Sequence, residues 1–129
     1  MIVINMPGGA IQDIGDNEWL WFRKAFASEW DGATMIRLTD DRIYSIESVA
    51  DLTKKFTAAG LAVAAFSAPD ARLKLIVSAG RVRQVVESNP AIYHEKARSV
   101  LVFSSKIRLA VRETPQDAAQ MLKEASAST

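Results

Sequence analysis

The sequence predicts an α+β fold in which two β-rich pseudo-repeats pack into one domain with antiparallel sheets. Short apolar runs recur along the chain between turn-forming residues, which is typical of strands. Two stretches, E-S-V-A-D at residues 47–51 and E-T-P-Q-D at residues 113–117, each follow a pair of such runs and open a helix-like pattern. With 129 residues, 49% of them apolar and 24% charged, the chain has the length and composition of one globular domain.

Composition narrows the class of protein. The chain has no cysteine, which excludes disulfides and thiolate metal sites, and it has a single histidine, His94. Its first residues, M-I-V-I-N-M-P-G-G, lack the basic and long apolar regions of a secretory signal. The longest apolar run, residues 61–66, is much shorter than a membrane span. We therefore expect a cytoplasmic protein without membrane contact.

The first half opens with a pattern of two strands and a helix. Residues 2–5 and 10–14 are strand-like and lie on either side of the turn signal Met6-Pro7-Gly8-Gly9. Asp16-Asn17 then offers a helix N-cap, and aromatic residues follow at helical spacing as far as the break at Asp31-Gly32. We expect a helix here that buries its aromatic stripe. The stripe consists of Trp19, Phe22, Phe26 and Trp30.

A hairpin and a second helix complete the first half. Residues 34–39 and 42–46 are strand-like and are joined by a short acidic turn. Ser48 is a suitable N-cap, and the acid three residues on, Asp51, gives a capping-box pattern. Gly60 is a natural C-terminal stop. The expected buried stripe of this helix is Val49, Leu52, Phe56 and Ala59.

The second half repeats the order of strands, hairpin and helix. The final helix is predicted to start with Thr114 as cap, Pro115 at the first helical position and Asp117 at the third. Its expected buried face is Ala118, Met121, Leu122 and Ala125, and residues 126–129 are expected to fray. The predicted strands are residues 61–66, 73–77, 81–86, 99–104 and 106–111, with a turn at Ala68-Pro69-Asp70.

The two halves match at turn and cap positions, which are the positions that backbone geometry constrains. We therefore predict diverged copies of one unit at residues 1–59 and 73–126, linked by the strand at residues 61–66. Chance is the alternative, because any two units of this type share turns and caps. The matched pairs include Ile4 with Ile76, Gly8 with Gly80, Gln12 with Gln84, Glu47 with Glu113, Ser48 with Thr114 and Asp51 with Asp117.

Three segments of the second half carry a family resemblance: F-S-A-P-D, then L-K-L-I-V-S-A-G-R-V-R-Q-V-V-E, then S-V-L-V-F-S-S-K-I-R-L-A-V-R-E-T-P-Q-D-A-A-Q-M-L. Residues 66–123 resemble the FlbD-like family of small flagellar and swarming-motility proteins. The chain departs from that family by an insertion at residues 89–98 and by lacking the usual glycine in the turn Ser104-Ser105-Lys106. The resemblance implies a small accessory or regulatory protein that acts by contact, and it places no catalytic residue.

Charge is distributed unevenly along the chain. Residues 1–70 carry a net charge of −4 and residues 71–129 a net charge of +5, which together give +1. Strand alternation predicts that cations of residues 81–86 and 106–111 share one sheet face if these strands are neighbours. Such a face could bind phosphates, remain solvated, or dock the acidic half of another copy. The predicted basic face consists of Arg81, Arg83, Lys106, Arg108 and Arg112.

Candidates for catalysis and metal binding are few. His94 is the only candidate base for a triad and no nucleophile elbow is present. Asp40-Asp41 is typical of a turn between strands rather than of a carboxylate pair. Trp21 lies off the aromatic stripe, and an exposed tryptophan would indicate a partner interface.

We therefore predict a non-enzymatic protein-interaction or regulatory module, self-associating, with neither cofactor nor metal. The partner-binding residues would be the basic face and Trp21. One alternative is a nucleic-acid-binding regulator that uses the basic face, and another is a small phage-encoded structural or inhibitor protein.

Overall fold

The computed structural model describes residues 2–69 and 73–127, and in this part of the chain it contains ten strands and three α-helices. The fold is α+β with antiparallel sheets, as predicted. The predicted turn at Ala68-Pro69-Asp70 lies partly outside the described residues, and Arg72 and residues 128–129 lie wholly outside them.

The chain opens with a hairpin. Strand β1 (Ile2–Asn5) pairs antiparallel with β2 (Ile11–Ile14) across the 3-10 turn Pro7–Gly9. Gly8 and Gly9 both have a positive φ, of 81° and 84°, which a glycine adopts without strain.

The aromatic stretch forms a strand, so the helix predicted there is wrong. Strand β3 (Trp19–Lys24) occupies most of it, and only helix α1 (Ala27–Trp30) is helical. A register shift between Trp19 and Trp21 allows Trp19 and Phe22 to pack into the same core, whereas Leu20 packs into another. A bulge adds one residue to the spacing along a strand. The spacing of three between Trp19 and Phe22 therefore resembled a helical stripe.

The hairpin and helix that complete the first half are present as predicted, but Ala59 of the expected buried stripe is exposed and lies at the end of the helix. Strands β4 (Thr34–Leu38) and β5 (Arg42–Ser45) pair antiparallel, and helix α2 (Val49–Ala58) follows. The hydroxyl of Ser48 caps this helix, and Gly60 ends it with a φ of 83°.

The second half contains five strands and one helix: β6 (Val63–Ser67), β7 (Lys74–Ser78), β8 (Gln84–Glu87), β9 (Ser99–Val102), β10 (Arg108–Val111) and helix α3 (Pro115–Ala127). The hairpin of β9 with β10 and the cap of α3 were predicted. Residues 79–81 form a 3-10 turn between β7 and β8, so β8 is shorter than the predicted strand at 81–86.

The strands form a five-stranded sheet in the order β5-β4-β3-β7-β6, a three-stranded sheet β10-β9-β8 and the β1-β2 hairpin. Strand β3 from the first half pairs with β7 from the second, where Trp21 faces Val77 and Phe22 faces Ile76. The segment predicted as a linking strand is β6, which pairs with β7 along its length. The central sheet is therefore built from both halves of the chain.

Two large hydrophobic cores form on opposite faces of the five-stranded sheet, and Ala25, Ala33 and Met35 form a small third cluster. One lies under α2 and the first hairpin, and the other lies between the sheet and the second half, under α3. The first contains Ile2, Ile4, Ile14, Trp19, Phe22, Ile36, Leu38, Ile43, Leu52, Phe56 and Ile76. The second contains Leu20, Ala64, Phe66, Ala68, Leu75, Val77, Leu101, Phe103, Val111 and Ala118.

Similar hydrogen bonds recur in the two halves. The hydroxyl of Thr34 donates to the carbonyl of Glu47, and that of Ser99 donates to the carbonyl of Glu113, both at 2.7 Å. The backbone N–H of Ile46 donates to the carbonyl of Asn5, and that of Arg112 donates to the carbonyl of Ser67. In these bonds, β1 of the first half and β6 of the second half have the same role. The comparison of the two half-sequences instead matched Ile4 of β1 with Ile76 of β7.

Candidate binding site

A basic groove lies between the five-stranded sheet and the hairpin of β9 and β10. Its volume is about 360 Å³. One wall comes from β3, β4 and β5 in the first half, and the other comes from β10 and the turn before it in the second half. The residues that line it are Trp21, Arg23, Met35, Arg37, Arg42, Lys106, Ile107, Arg108 and Leu109.

Strand pairing places three arginines on one wall of the basic groove. Arg37 of β4 lies opposite Trp21 of β3 on one side and Arg42 of β5 on the other. Directly paired residues of an antiparallel sheet point to the same face, and so do residues two apart in one strand. Arg23, two residues after Trp21, therefore lies on this face as well.

The opposite wall carries Lys106 and Arg108, both exposed. The hydroxyl of Ser104 accepts hydrogen bonds from the backbone N–H groups of Lys106 and Ile107, at 3.3 and 3.1 Å. These bonds fix the turn before β10. The serine thus stabilises the backbone of its own turn.

Trp21 lies in the basic groove and is half-buried rather than exposed. Its ring packs on that of Phe103 with a centroid distance of 5.3 Å and a tilt of 37°. Trp21 thus joins the two halves of the chain and presents the remaining part of its indole to the groove. A ring held in this way loses little conformational entropy when a partner packs against it.

Glu29 neutralises part of the positive charge next to the basic groove. Its carboxylate accepts from Arg23 at 2.8 Å, from the Tyr44 hydroxyl at 3.2 Å and from Arg42 at 3.3 Å. The hydrogen bond from Arg23 is the main reason why the pKa of Glu29 falls to about 2, and a bond from the Phe26 N–H acts in the same direction against the opposing effect of burial. Glu29 is therefore fully ionised near neutral pH.

The other three cations of the basic groove have no such partner. Within residues 2–69 and 73–127, the side chains of Arg37, Lys106 and Arg108 form neither an ion pair nor a hydrogen bond. Like charges that face one another across a groove favour an anionic ligand, which relieves their repulsion. The groove therefore has the electrostatic character of an anion-binding surface.

The basic face expected from the sequence is divided in the structure. Strand β9 lies between β8 and β10, so the assumption that the two basic strands are neighbours is wrong. Lys106 and Arg108 line the basic groove, whereas Arg81, Arg83 and Arg112 do not. The Arg81 guanidinium donates to the carbonyl of Asn17, away from the groove. The exposed Arg83 and Arg112 lie before β8 and after β10.

Arg23, Arg37 and Arg42 are not part of the basic face predicted from the sequence, because that prediction includes cations of the basic second half only. The signal for two of them was present. In the correctly predicted hairpin of the first half, Arg37 and Arg42 alternate with the buried Ile36 and Ile43, so they must point to the opposite face. Arg23 could not be placed while β3 was expected to be helical.

The residues considered from the sequence as candidates for catalysis form local hydrogen bonds with the backbone. The Nδ1 atom of the exposed His94 accepts from the backbone N–H of Lys96 at 3.1 Å. Asp41 accepts from the N–H of Arg42 at 2.7 Å, as a turn-forming residue does.

Across the described part of the chain, no group of histidine and carboxylate side chains could hold a metal ion. No helix formed by these residues has the length and apolar character needed to cross a membrane.

No protein-family model matches this chain, and a search of curated proteins and of solved structures found no significant match.

Proposed function

We propose that the protein is a non-enzymatic protein-interaction module whose basic groove receives an acidic segment of a protein partner. One observation carries the proposal: Arg37, Lys106 and Arg108 converge from the two halves of the chain without an ion-pair partner among the described residues. Arginine side chains bind carboxylates through paired N–H donors, so an Asp- or Glu-rich segment satisfies them.

The geometry of the basic groove also favours a peptide over a large surface. Trp21 occupies it with part of its indole accessible, and aromatic rings at the centre of an interface contribute strongly to affinity. Arg23 and Arg42 are already held by Glu29, which keeps one wall ordered before a partner binds. Less conformational entropy is then lost on binding.

A binding role suits the chemistry of the basic groove better than catalysis. Its lining supplies cations and apolar groups, and the carboxylate of Glu29 next to it has a pKa of about 2. A carboxylate of such low basicity is a poor proton acceptor near neutral pH. General acid–base catalysis would need a group that titrates closer to the working pH.

The proposal extends to the origin of the groove. We infer that the chain contains two diverged copies of one unit, with β1 related to β6 and α2 related to α3. The recurring hydrogen bonds support this relation, and the order of β6, β7, the hairpin and α3 suits the FlbD-like resemblance of the second half. A groove at the junction of two copies would then be a property of the tandem arrangement.

A fluorescein-labelled oligoglutamate peptide tests the proposed function at low ionic strength by fluorescence anisotropy. We expect binding that weakens at least tenfold in the double variant Arg37→Glu, Arg108→Glu, since charge reversal repels the peptide. The matched control is Arg83→Glu, Arg112→Glu, which makes the same charge change outside the groove and should keep most of the affinity. Equal losses in the two double variants, or no binding by the wild type, would overturn the proposal.

A nucleic-acid partner is the second candidate, because an aromatic ring beside unpaired cations is also how single strands are bound. The half-buried Trp21 beside Lys106 and Arg108 in the groove is the specific observation that favours it. A labelled oligothymidylate should then bind more tightly than oligoglutamate, with an affinity that falls steeply as salt is added. Tighter binding of oligoglutamate would exclude this candidate.

A further inference from the structure

A second, larger groove lies on the opposite face of the five-stranded sheet, beside the start of helix α2. Its volume is about 790 Å³, and it shares no residue with the basic groove. The end of β3, the start of β4, the first turns of α2 and the start of β7 form its walls. Its lining residues are Lys24, Gly32, Ala33, Thr34, Ser48, Val49, Ala50, Thr53, Lys54, Leu73, Lys74 and Ile76.

The floor of this apolar groove presents almost no free polar group. The hydroxyls of Thr34 and Thr53 donate to the backbone carbonyls of Glu47 and Val49, both at 2.7 Å. The Ser48 hydroxyl accepts from the N–H of Asp51. The threonines therefore turn their polar atoms to the backbone and leave their methyl groups beside the aliphatic side chains of the lining.

Three lysines lie around the apolar groove: Lys24 of β3, Lys54 of α2 and Lys74 of β7. All three are exposed, and none forms an ion pair within residues 2–69 and 73–127. Among the described residues that line it, none is acidic. A ligand with an apolar centre and negative charge at its margins would be complementary to this surface.

The apolar surface continues beyond the groove. A smaller depression of about 150 Å³ shares Gly32 and Ala33 with it and adds Pro7, Trp30, Ile46 and one acidic residue, Asp31. Trp30 is 51% exposed and Ile46 is 62% exposed. A half-exposed tryptophan next to an apolar groove is typical of a protein interface.

We propose that the apolar groove binds an amphipathic helix of a partner protein, with the apolar stripe of that helix on the floor and acidic side chains beside Lys24, Lys54 and Lys74. Helices commonly dock into grooves through apolar residues three and four positions apart. A second copy of this chain does not supply such a helix from its described residues. Helices α2 and α3 already bury their apolar side chains in the two cores.

The proposal is tested with two synthetic amphipathic peptides that share one leucine stripe and carry either glutamate or lysine on the flanks. Nitrogen-15 NMR shifts of the full chain follow their binding. We expect the glutamate peptide to shift amides at Gly32, Ala50 and Lys54 and to bind at least tenfold more tightly than the lysine peptide. Trp30→Ala should weaken the binding, because Trp30 is half-exposed and its removal opens no core cavity.

Three variants separate this site from the rest of the surface. Ala50→Arg places a bulky exposed side chain in the apolar groove and should abolish binding, whereas Lys96→Glu, far along the chain on an exposed loop, should leave it unchanged. The variant Arg37→Glu, Arg108→Glu should weaken any binding of the glutamate peptide at the basic groove but should leave its shifts at Gly32, Ala50 and Lys54 unchanged, because the basic groove lies on the other sheet face. Loss of those shifts in that variant, with none in Ala50→Arg, would overturn the proposal.

Other occupants give distinct results, each of which contradicts the proposal. Dodecanoate that shifts the same amides while neither peptide binds would show a site for small amphiphilic acids. A dimer that forms with increasing concentration and is lost in Ala50→Arg would show that a second copy covers the groove. Equal affinity for the glutamate and lysine peptides would show that the three lysines do not select the ligand.

Discussion

The carboxylate of Glu113 accepts a hydrogen bond from the backbone N–H of Ser67 at 3.0 Å, and so ties the end of β6 to the residue just before the cap of α3. The first half contains the counterpart, in which Glu47 accepts from the N–H of Asn5 at 3.3 Å. Each glutamate therefore satisfies a backbone donor at a strand end from 40 or more residues away in sequence. Both contacts join a hairpin strand to the start of a helix.

Removal of the Glu113 carboxylate should destabilise the protein. In Glu113→Ala the partly buried N–H of Ser67 loses its acceptor, and we expect a loss of about 1 kcal/mol in the free energy of unfolding. Urea denaturation followed by circular dichroism measures it. Glu95→Ala, which alters an exposed carboxylate on the loop before β9, is the control and should change stability little. An unaltered midpoint for Glu113→Ala would contradict the assigned contact.

The two helix caps should contribute similar energies. Ser48 accepts from the N–H of Asp51 at 3.1 Å, and Thr114 accepts from that of Asp117 at 3.2 Å. Ser48→Ala and Thr114→Ala should each lower the free energy of unfolding by about 1 kcal/mol, and the double variant should show the sum because the caps are separate. The corresponding threonine and serine exchanges should restore most of the loss, as a hydroxyl is kept. Retained stability in either alanine variant would refute the cap.

Stability should decline in acid through Glu29. Its pKa is depressed from an ordinary 4.5 to about 2, chiefly by the hydrogen bond from Arg23, so its contribution is complete above pH 4.5 and is lost as the pH falls toward 2. Glu29→Gln should be less stable at neutral pH and should show a smaller further loss across this acid range. Thermal unfolding at a series of pH values measures both. Parallel pH profiles for the two proteins would be the contrary result.

Phe56 should be among the most sensitive positions of the fold. It is fully buried, and its ring packs edge-on against Trp19 with a centroid distance of 4.7 Å and against Phe22 at 5.1 Å. Phe56→Ala leaves a cavity between α2 and β3, so we expect a loss of about 3–5 kcal/mol. Chemical denaturation checks this value. A loss below that of a cap variant would mean that α2 does not pack on β3 as described.

Self-association was expected from the acidic first half and basic second half, and it remains a prediction. If the basic groove receives the acidic half of another copy, sedimentation equilibrium should show a mass that rises with protein concentration and falls as salt screens the charges. The Arg37→Glu, Arg108→Glu variant should then remain monomeric at every concentration. A wild-type mass that is independent of concentration at low salt would exclude association through this groove.

The sequence predicted those parts of the fold that depend on local signals. The caps at Ser48 and Thr114 and both hairpins before the helices were found because a few neighbouring residues determine them. Strand β3 was predicted as a helix for two reasons. It is covered on both faces, so its apolar residues do not alternate with polar ones. In addition, a bulge between Trp19 and Trp21 gives its aromatic residues a helix-like spacing.

The candidate site was predicted only in part for a different reason. Lys106, Arg108 and Trp21 were identified from charge and spacing, and they line one groove. These three residues lie together only because β10 packs beside the first half. This is a long-range contact, which local sequence patterns do not predict. The same holds for β9 between β8 and β10, since strand order does not follow from strand alternation.

The pairing of β3 with β7 has a consequence for how the chain could be divided. A fragment that stopped at Gly60 would leave the edge of β3 without its neighbour, and exposed strand edges promote aggregation. A single cut in the full chain between α2 and β6 would have another effect, because the two pieces would stay joined through the sheet. Cleavage by a protease at that place would yield two bands on a denaturing gel from a particle of unchanged size.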